Sequence, residues 1–393
     1  MIDLSESAVR RRTQGVAGPD ADRGTLEALD ARMLWSALTE PGDGVAGALV
    51  GALGAREALE LVFHRRGAEQ LMERCGLEAR AARAAVQRWR ERAADAPHVA
   101  SAAQRADVRV LTPESGLWPA RLDDLGPHAP LCVWVRGAVS EVVASKPAVA
   151  LVGARAASAY GEDVVADLAT DLGRGGVAVV SGGAYGIDGM AHRAALAAGA
   201  VTIAWLAGGV DRSYPAGHRA LLDQVVASGG AVVGEAPCGA APTKWRFLAR
   251  NRLIAAASDA TVVVEAGWRS GSLNTAGHAA SLGRPLGAVP GPITSATSAG
   301  CHRLLREYAA QCITSADDVR EMLGWGTAEA EERERAGDTG RVRDALSSRS
   351  ARTSADLAQR SGLDVAAVES ILGLLALEGA AARVGDGWRA VAR

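Results

Sequence analysis

The segment from Lys244 to Arg252 combines the residue types that bind nucleic acid. Its sequence, KWRFLARNR, supplies four cations, an amide and two aromatic rings within nine residues. Cations contact phosphates, and aromatic rings offer faces on which unpaired bases stack, which is the combination that single strands require. The chain contains only two lysines and two phenylalanines, yet Lys244 and Phe247 lie three residues apart here. We therefore expect Lys244, Phe247, Arg250, Asn251 and Arg252 to contact single-stranded DNA. The alternative for Arg250 to Arg252 is a partly structural role at the start of a helix.

The charge of the chain restricts such a site to a local patch. The formal net charge is −2, so the protein as a whole is not basic. Between Ala240 and Ala310, however, eight Lys and Arg residues stand against three acidic ones. The alternative for Trp245 and Phe247 is that they anchor the hydrophobic core.

The loop after the apolar run that ends at Val152 places a cation at a strand end. Arg155 in this loop is suited to contacting a phosphate, and Ser158 is expected beside it. The alternative is that Arg155 pairs with a buried carboxylate such as Asp163, because arginine is often structural.

Two further loops, rich in glycine and serine, could bind a phosphate through backbone amides and hydroxyl groups. The expected site residues are Gly182, Gly183, Tyr185 and Gly186 in the first loop and Ser270, Gly271, Ser272 and Thr275 in the second. Each loop also has a structural interpretation. The first is then a tight turn from strand to helix, and the second is ordinary helix capping.

Enzyme classes find little support in the sequence. The loop after Val152 lacks the G-x-G-x-x-G pattern of a dinucleotide site. Asp188 and His192 lie four residues apart and could form an acid/base pair, but we favour a structural role because no nucleophile lies beside them in sequence. The remaining alternative is a nucleotide-binding enzyme or sensor, such as a nucleoside-monophosphate phosphoribohydrolase. Those enzymes carry a P-G-G-x-G-T loop, where this chain has AGWRSGS (266–272).

Composition indicates neither a metal site nor a membrane segment. The five cysteines are odd in number and form no C-x-x-C pair, which argues against a disulfide framework and a zinc site. No run of about 18 apolar residues occurs. We therefore expect a cytoplasmic protein without a metal or other cofactor.

The middle of the chain alternates β-branched runs with alanine-rich helical stretches. The runs end at Val152, Ser181, Leu206, Glu265 and Pro290, and the helical stretches lie near 162–173, 188–198, 216–227 and 273–283. Strands that are buried on both faces and joined by helical crossovers predict a doubly wound parallel sheet. The fold class is therefore α/β, an extended Rossmann-like domain at 98–325 with its core at 149–313.

The regions before this core differ in pattern. Residues 1–24 lack periodicity and are predicted to be a disordered lead. Residues 25–97 have the apolar spacing of a small helical domain. Short apolar runs broken by prolines between Val108 and Gly137 indicate extended lead-in strands.

The last part of the chain predicts a linker and a winged helix. Residues 326–340 are charged and have no apolar face, which is typical of a linker. Residues 341–393 predict a helix, a helix capped by Ser354, a helix capped by Asp364 and a hairpin with a Gly-Asp-Gly turn. The helix at 365–378 contains no Lys or Arg, so we expect a protein contact or an autoinhibitory role rather than DNA binding.

Ordered segments in the middle of the chain resemble the DprA (Smf) family of DNA-processing proteins. The matching segments are VGARAASAYG (152–161), SGGAYGIDGMAHRAAL (181–196), GGVDRSYPAGHRAL (208–221), GEAPCGAAPTKWRFLARNRLIAAAS (234–258), VVVEAGWRSGSLNTAGHA (262–279), GRPLGAVPG (283–291) and GCHRLL (300–305). The helical front region also resembles a SAM or helix-hairpin-helix-like domain. Asp43 in its turn PGDG (41–44) puts negative charge where a phosphate would approach, so we expect no DNA contact from that hairpin.

The resemblance implies a function and a pocket. The implied protein binds and protects single-stranded DNA, forms a homodimer and helps load the RecA recombinase during natural transformation, without catalysis. The resemblance assigns Arg155, Lys244 and Phe247 to the strand-binding pocket. Two positions depart from the family pattern, because Leu248 replaces the usual proline and Tyr185 stands where many members have Lys or Arg.

Overall fold

The computed structural model describes residues 2–18, 21–65, 67–76, 78–94, 96–143, 147–325, 328–348 and 350–391. By its internal contacts the chain divides into two compact units, Met1–Leu323 and Gly324–Arg393. In these described ranges no helix is long and apolar enough to cross a membrane.

Short helices precede the sheet in the first unit. They are α1 (Glu6–Thr13), α2 (Arg23–Leu38), α3 (Gly44–Leu53), α4 (Ala55–Phe63), α5 (Gly67–Cys75), α6 (Ala79–Glu91) and α7 (Val99–Arg105). Apolar residues of α2 to α6 form a common core that includes Leu34, Trp35, Leu59 and Trp89. The helical region and the sheet belong to the same compact unit.

The start of the chain differs from the predicted disordered lead, because Glu6–Thr13 forms α1. Val9 of α1 is buried, and the Arg12 guanidinium forms a buried ion pair with Asp30 of α2 at 2.6 Å. A long-range ion pair of this kind is not visible in local periodicity. It ties a short polar helix to the rest of the unit.

One sheet of nine strands dominates the described part of the first unit. The strands are β1 (Arg109–Leu111), β2 (Val133–Gly137), β3 (Ala148–Val152), β4 (Ala178–Ser181), β5 (Thr202–Leu206), β6 (Ala231–Gly234), β7 (Ala260–Val263), β8 (Leu286–Ala288) and β9 (Gln311–Cys312). Their order across the sheet is β1-β2-β6-β5-β4-β3-β7-β8-β9. At one edge of the sheet, β1 pairs antiparallel with β2, and β2 pairs antiparallel with β6. The remaining strands, β6, β5, β4, β3, β7, β8 and β9 in their order across the sheet, are parallel to one another. The predicted doubly wound α/β sheet is confirmed.

Helices cross over between the strands and cover the sheet. In chain order they are α8 (Val139–Val143), α9 (Ala159–Arg174), α10 (Ile187–Ala197), α11 (Arg219–Ala227), α12 (Lys244–Ala256), α13 (Ser272–Ser281), α14 (Ala299–Glu307) and α15 (Ala316–Met322). β3 is wholly buried and has β4 on one side and β7 on the other. The winding direction reverses between β3 and β7, which is where open α/β sheets form a ligand crevice.

The described residues of the second unit, 324–325, 328–348 and 350–391, form three helices and a hairpin. They are α16 (Ala328–Ala345), α17 (Ser354–Ser361), α18 (Val365–Leu377), β10 (Ala381–Val384) and β11 (Gly387–Ala390), with β10 and β11 antiparallel. Asp364 caps α18 as predicted, accepting from the Ala367 amide at 2.9 Å. The cap of α17 is Thr353 rather than Ser354, because the Asp356 amide donates to the Thr353 hydroxyl at 3.2 Å.

Most of the predicted linker is helical, since α16 begins at Ala328. The C-terminal part of α16 packs Val342 and Ala345 into the core of the second unit. Alanine, glutamate and arginine are good helix formers, so the helix continues toward its N-terminus without an apolar face.

Candidate nucleic-acid interface

A cleft of about 800 Å³ lies beyond the carboxyl ends of β3 and β7, at the reversal of the winding. The loops that follow these two strands form part of its wall, and the N-terminal half of α12 forms another part. The charged residues that line it are Arg155, Lys244, Arg250, Arg269 and Asp188. Four cations therefore face one carboxylate, which makes the cleft suited to a polyanion.

Helix α12 presents a single face of the predicted segment to the cleft. The helix begins at Lys244 because the Thr243 hydroxyl caps it, accepting from the Arg246 amide at 3.2 Å. Residues three and four apart share a helix face. Lys244, Phe247 and Asn251 accordingly line the cleft.

Phe247 is a half-buried ring in the wall of the cleft, with an arginine over it and a tyrosine beside it. The guanidinium carbon of Arg155 lies 4.8 Å from the centre of the Phe247 ring. The Tyr214 ring lies 5.6 Å from the same ring, at an interplanar angle of 56°. Arg155 is exposed and forms no ion pair within the described residues, so its expected alternative pairing with Asp163 is not observed. The structure thus brings the three residues of the expected pocket, Arg155, Lys244 and Phe247, into one cleft.

Arg250 forms the floor of the cleft and is only 6% exposed. Its guanidinium donates to the carbonyl oxygens of Gly182 and Trp205, at the ends of β4 and β5. Burial lowers the pKa of Arg250 to about 10, although nearby Asp188 favours the charged form. Burial likewise raises the pKa of Asp188, and Arg250 opposes that change. Arg250 remains a cation at neutral pH and supports the loops while it adds positive charge beneath the cleft.

Arg252 lies outside the cleft, contrary to its expected role as a DNA contact. Its guanidinium is buried and forms two 2.8 Å hydrogen bonds with the Glu235 carboxylate. It also donates to the carbonyl oxygen of His128 at 3.0 Å. Arg252 therefore holds α12 against β6 and the segment before β2.

The glycine-rich loop after β4 supports the cleft from behind: Ala184 lines the cleft, whereas Gly182, Gly183, Tyr185 and Gly186 do not. Gly182 accepts from Arg250, and the His218 ring donates to the carbonyl oxygen of Gly183 at 3.0 Å. Gly186 has a φ of +72°, and a Cβ there would overlap the carbonyl oxygen of Ala154. The absence of a side chain at Gly186 thus allows the start of α10 to approach the backbone at Ala154 and Arg155.

Two other expected residues are also placed away from the cleft. Tyr185 is half exposed and packs edge-on against His218, with ring centres 4.8 Å apart. Ser158 caps α9 and donates from its hydroxyl to the buried Glu265 carboxylate at 2.6 Å. These contacts give both residues a structural role, which for Tyr185 agrees with the alternative of a tight turn in its loop.

The loop that opens α13 forms the part of the wall next to α12. Its expected residues Ser270, Gly271, Ser272 and Thr275 all line the cleft. The Asn251 amide donates to the carbonyl oxygen of Gly271 at 3.2 Å, which joins the loop to α12. Ser270 and Gly271 are the more accessible members, because Ser272 and Thr275 are buried.

Several lining side chains were not among the predicted site residues, and the two that offer a ring or a cation are Tyr214 and Arg269. Both lie in loops that directly follow strands, so their position in sequence could have identified them. Of the pair Asp188 and His192, Asp188 lines the cleft and His192 does not. His192 is fully buried beside Thr202, and burial lowers its pKa to about 3.

Comparison with known proteins adds a family and several relatives. The family model described as DNA recombination-mediator protein A matches residues 109–324. The putative DNA processing protein DprA of Mycobacterium tuberculosis is 42% identical over 373 residues, which cover 90% of this chain and 92% of the relative. Protein Smf of Escherichia coli is 41% identical over 177 residues, covering 45% of this chain and 47% of that protein.

A solved structure is similar over most of its length. The X-ray structure of DNA processing protein A from Streptococcus pneumoniae superposes with a TM-score of 0.59 at 31% sequence identity. The match covers 73% of this chain and 94% of the pneumococcal chain.

Proposed function

The chain belongs to the DNA recombination-mediator protein A (DprA) family, and from this premise we propose that its cleft binds single-stranded DNA. The observation that carries the proposal is the half-buried Phe247 ring, which lies in a cationic cleft between Arg155 and Tyr214. A duplex hides its base faces, whereas a single strand can place a base on an aromatic ring while cations hold its phosphates. The cleft offers both kinds of contact.

We assign the contacts according to exposure. Phe247 supplies the stacking ring, and the exposed Arg155 and Lys244 supply the phosphate contacts. Ser270 adds a hydroxyl group on the neighbouring wall, and the buried Asn251 joins that wall to α12. Arg250 contributes charge from below. In this proposal Ser158, Gly182, Gly183, Tyr185, Gly186 and Arg252 support the site without touching the strand.

We further propose the downstream role that the family name suggests. The protein would protect single-stranded DNA and help load RecA recombinase onto it, acting in the cytoplasm as a homodimer during DNA processing in natural transformation. A binding role without catalysis is sufficient for this function. Family membership does not favour the alternative of a nucleotide-binding enzyme such as a phosphoribohydrolase.

Equilibrium binding to fluorescent oligo-dT at several salt concentrations tests the proposed site. Phe247→Ala is expected to weaken binding by about 1 to 3 kcal/mol because one base loses its stacking partner.

Lys244→Ala is expected to reduce the slope of log affinity against log salt by about one unit, because one phosphate contact is lost. Phe63→Ala removes the chain's other phenylalanine ring, which packs on the helical core and does not line the cleft, and serves as the matched control with unchanged affinity. Wild-type affinity and salt slope in both cleft variants would refute the site.

A further inference from the structure

Two of the nine tryptophans are exposed, and both flank the residues that line the cleft. Trp245 is 75% exposed and follows Lys244, whereas Trp268 is 58% exposed and lies between Gly267 and Arg269. The other seven tryptophans, all within the described ranges, are buried or half-buried. An exposed indole ring lacks the large free-energy gain that burial of its apolar surface would give. Because two such rings lie beside the same cleft, we expect a bound ligand to cover them.

Trp268 differs from Trp245 because an arginine side chain packs over its ring. The guanidinium carbon of Arg303, on α14, lies 5.4 Å from the centre of the Trp268 ring and 5.7 Å from that of Tyr308. Arg303 is itself fixed by an ion pair with Glu307 at 2.7 Å. A cation over one face of the indole restricts the ring and leaves much of its surface free. A ring fixed in this way loses little conformational entropy when a base stacks on it.

Arg269 connects this ring to the cleft. Its side chain is exposed and lines the cleft, and it is the residue next to Trp268 in the chain. A strand that leaves the cleft along this wall therefore meets a cation for its phosphate and then an aromatic face for its base. This is the same pairing of groups that Lys244 and Phe247 provide inside the cleft.

We propose that Trp268, backed by Arg303, is a second base-stacking subsite just outside the cleft and that Arg269 holds the phosphate between them. The proposal rests on the proposed function, because it requires that the cleft binds single-stranded DNA. Its specific consequence is that the protein distinguishes oligonucleotides by length. A strand that only fills the cleft does not reach Trp268, and a longer strand does.

Binding of the full-length protein to two lengths of oligo-dT, about 4 and about 12 nucleotides, tests the subsite, since single-strand sites span about 4 to 16 nucleotides. Trp268→Leu is expected to weaken binding of the longer strand about tenfold and to leave the shorter strand unchanged. Trp268→Phe keeps an aromatic face and is expected to restore most of the loss. Phe247→Ala is expected to weaken both lengths. Photo-crosslinking with 5-iodouracil near one end of the longer strand is expected to label Trp268.

The outcomes separate the subsite from the cleft. If Trp268→Leu binds the longer strand as tightly as the wild type while Phe247→Ala still weakens both lengths, the subsite is absent and the cleft remains. If Trp268→Leu weakens both lengths equally and changes the oligomeric state in light scattering, Trp268 serves a protein contact and the proposal is overturned. If Phe247→Ala changes neither length, the proposed function itself fails.

Discussion

The arginines of α12 have different roles because the helix turns them toward different surroundings. Arg250 faces the loops beneath the cleft, Arg252 forms a buried pair with Glu235, and Arg246 forms a partly exposed pair with Glu40. The exposed Arg155 from another loop supplies the cation that lies over Phe247. The chemistry of an arginine here follows from what its guanidinium contacts, because all of these side chains carry the same charge.

Replacing Arg252 tests its structural role. Arg252→Met leaves the Glu235 carboxylate buried without its cation, which is expected to lower the free energy of unfolding by about 3 to 5 kcal/mol. Arg246→Met on the same helix removes a partly exposed pair and is expected to cost no more than about 1 kcal/mol. Chemical denaturation measures both variants. Equal losses of unfolding free energy in the two variants would contradict the structural role assigned to the buried Arg252.

At the scale of elements, the register of α12 decides which part of the KWRFLARNR segment reaches the cleft. The composition of the segment identifies the region, but it does not show that the helix begins at Lys244. Once Thr243 is placed as the cap, helical spacing puts Lys244, Phe247 and Asn251 on one face. The same spacing directs Arg252 away from the cleft, toward Glu235.

Long apolar runs and strand-end loops were predictable from sequence, because local periodicity determines them. The runs ending at Val152, Ser181 and Leu206 match β3, β4 and β5. The short strand β6, Ala231–Gly234, was missed because the three apolar residues between Gly230 and Gly234 carry little periodic signal. Side-chain partners such as Glu235 for Arg252 depend on the packed fold, so no local pattern could reveal them.

The turn at 41–44 shows how an element can resemble a DNA-binding hairpin without offering the necessary groups. Asp43 caps α3, accepting from the amides of Val45 and Ala46, and it also accepts from the Trp89 indole at 3.0 Å. The Gly42 amide donates to Glu235 at 3.0 Å. The donors that would hold a phosphate are therefore occupied within the protein, which supports the expectation of no DNA contact there.

The packing of α3 provides a stability test with its own control. A Cβ at Gly47 would overlap the backbone carbonyl oxygen of Pro127, whereas a Cβ at Gly51, one turn later, meets open space. Gly47→Ala is therefore expected to destabilise the first unit by about 1 to 3 kcal/mol or more. Gly51→Ala is expected to stabilise it by up to about 1 kcal/mol through helix propensity. Thermal unfolding of both variants gives the comparison, and a stable Gly47→Ala variant would contradict the packing of α3.

At the scale of the whole molecule, the proposed strand contacts all lie in the first unit. In the second unit, α18 contains no Lys or Arg, and its exposed side chains include Leu374, Leu377 and Glu369. Such a surface offers no partner for phosphates, whereas groove-reading helices present cations and amides. We therefore expect DNA to protect the cleft and not α18.

Hydrogen exchange of the unmodified full chain, with and without saturating oligo-dT, tests the central claim most directly because it locates the bound strand without any substitution. We predict slower amide exchange on DNA binding in three segments, 153–156, 243–248 and 267–272, and unchanged exchange in 354–391. Protection confined to 354–391, or bound DNA with no slowing in those three segments, would contradict the assignment of the cleft as the site of single-stranded DNA binding.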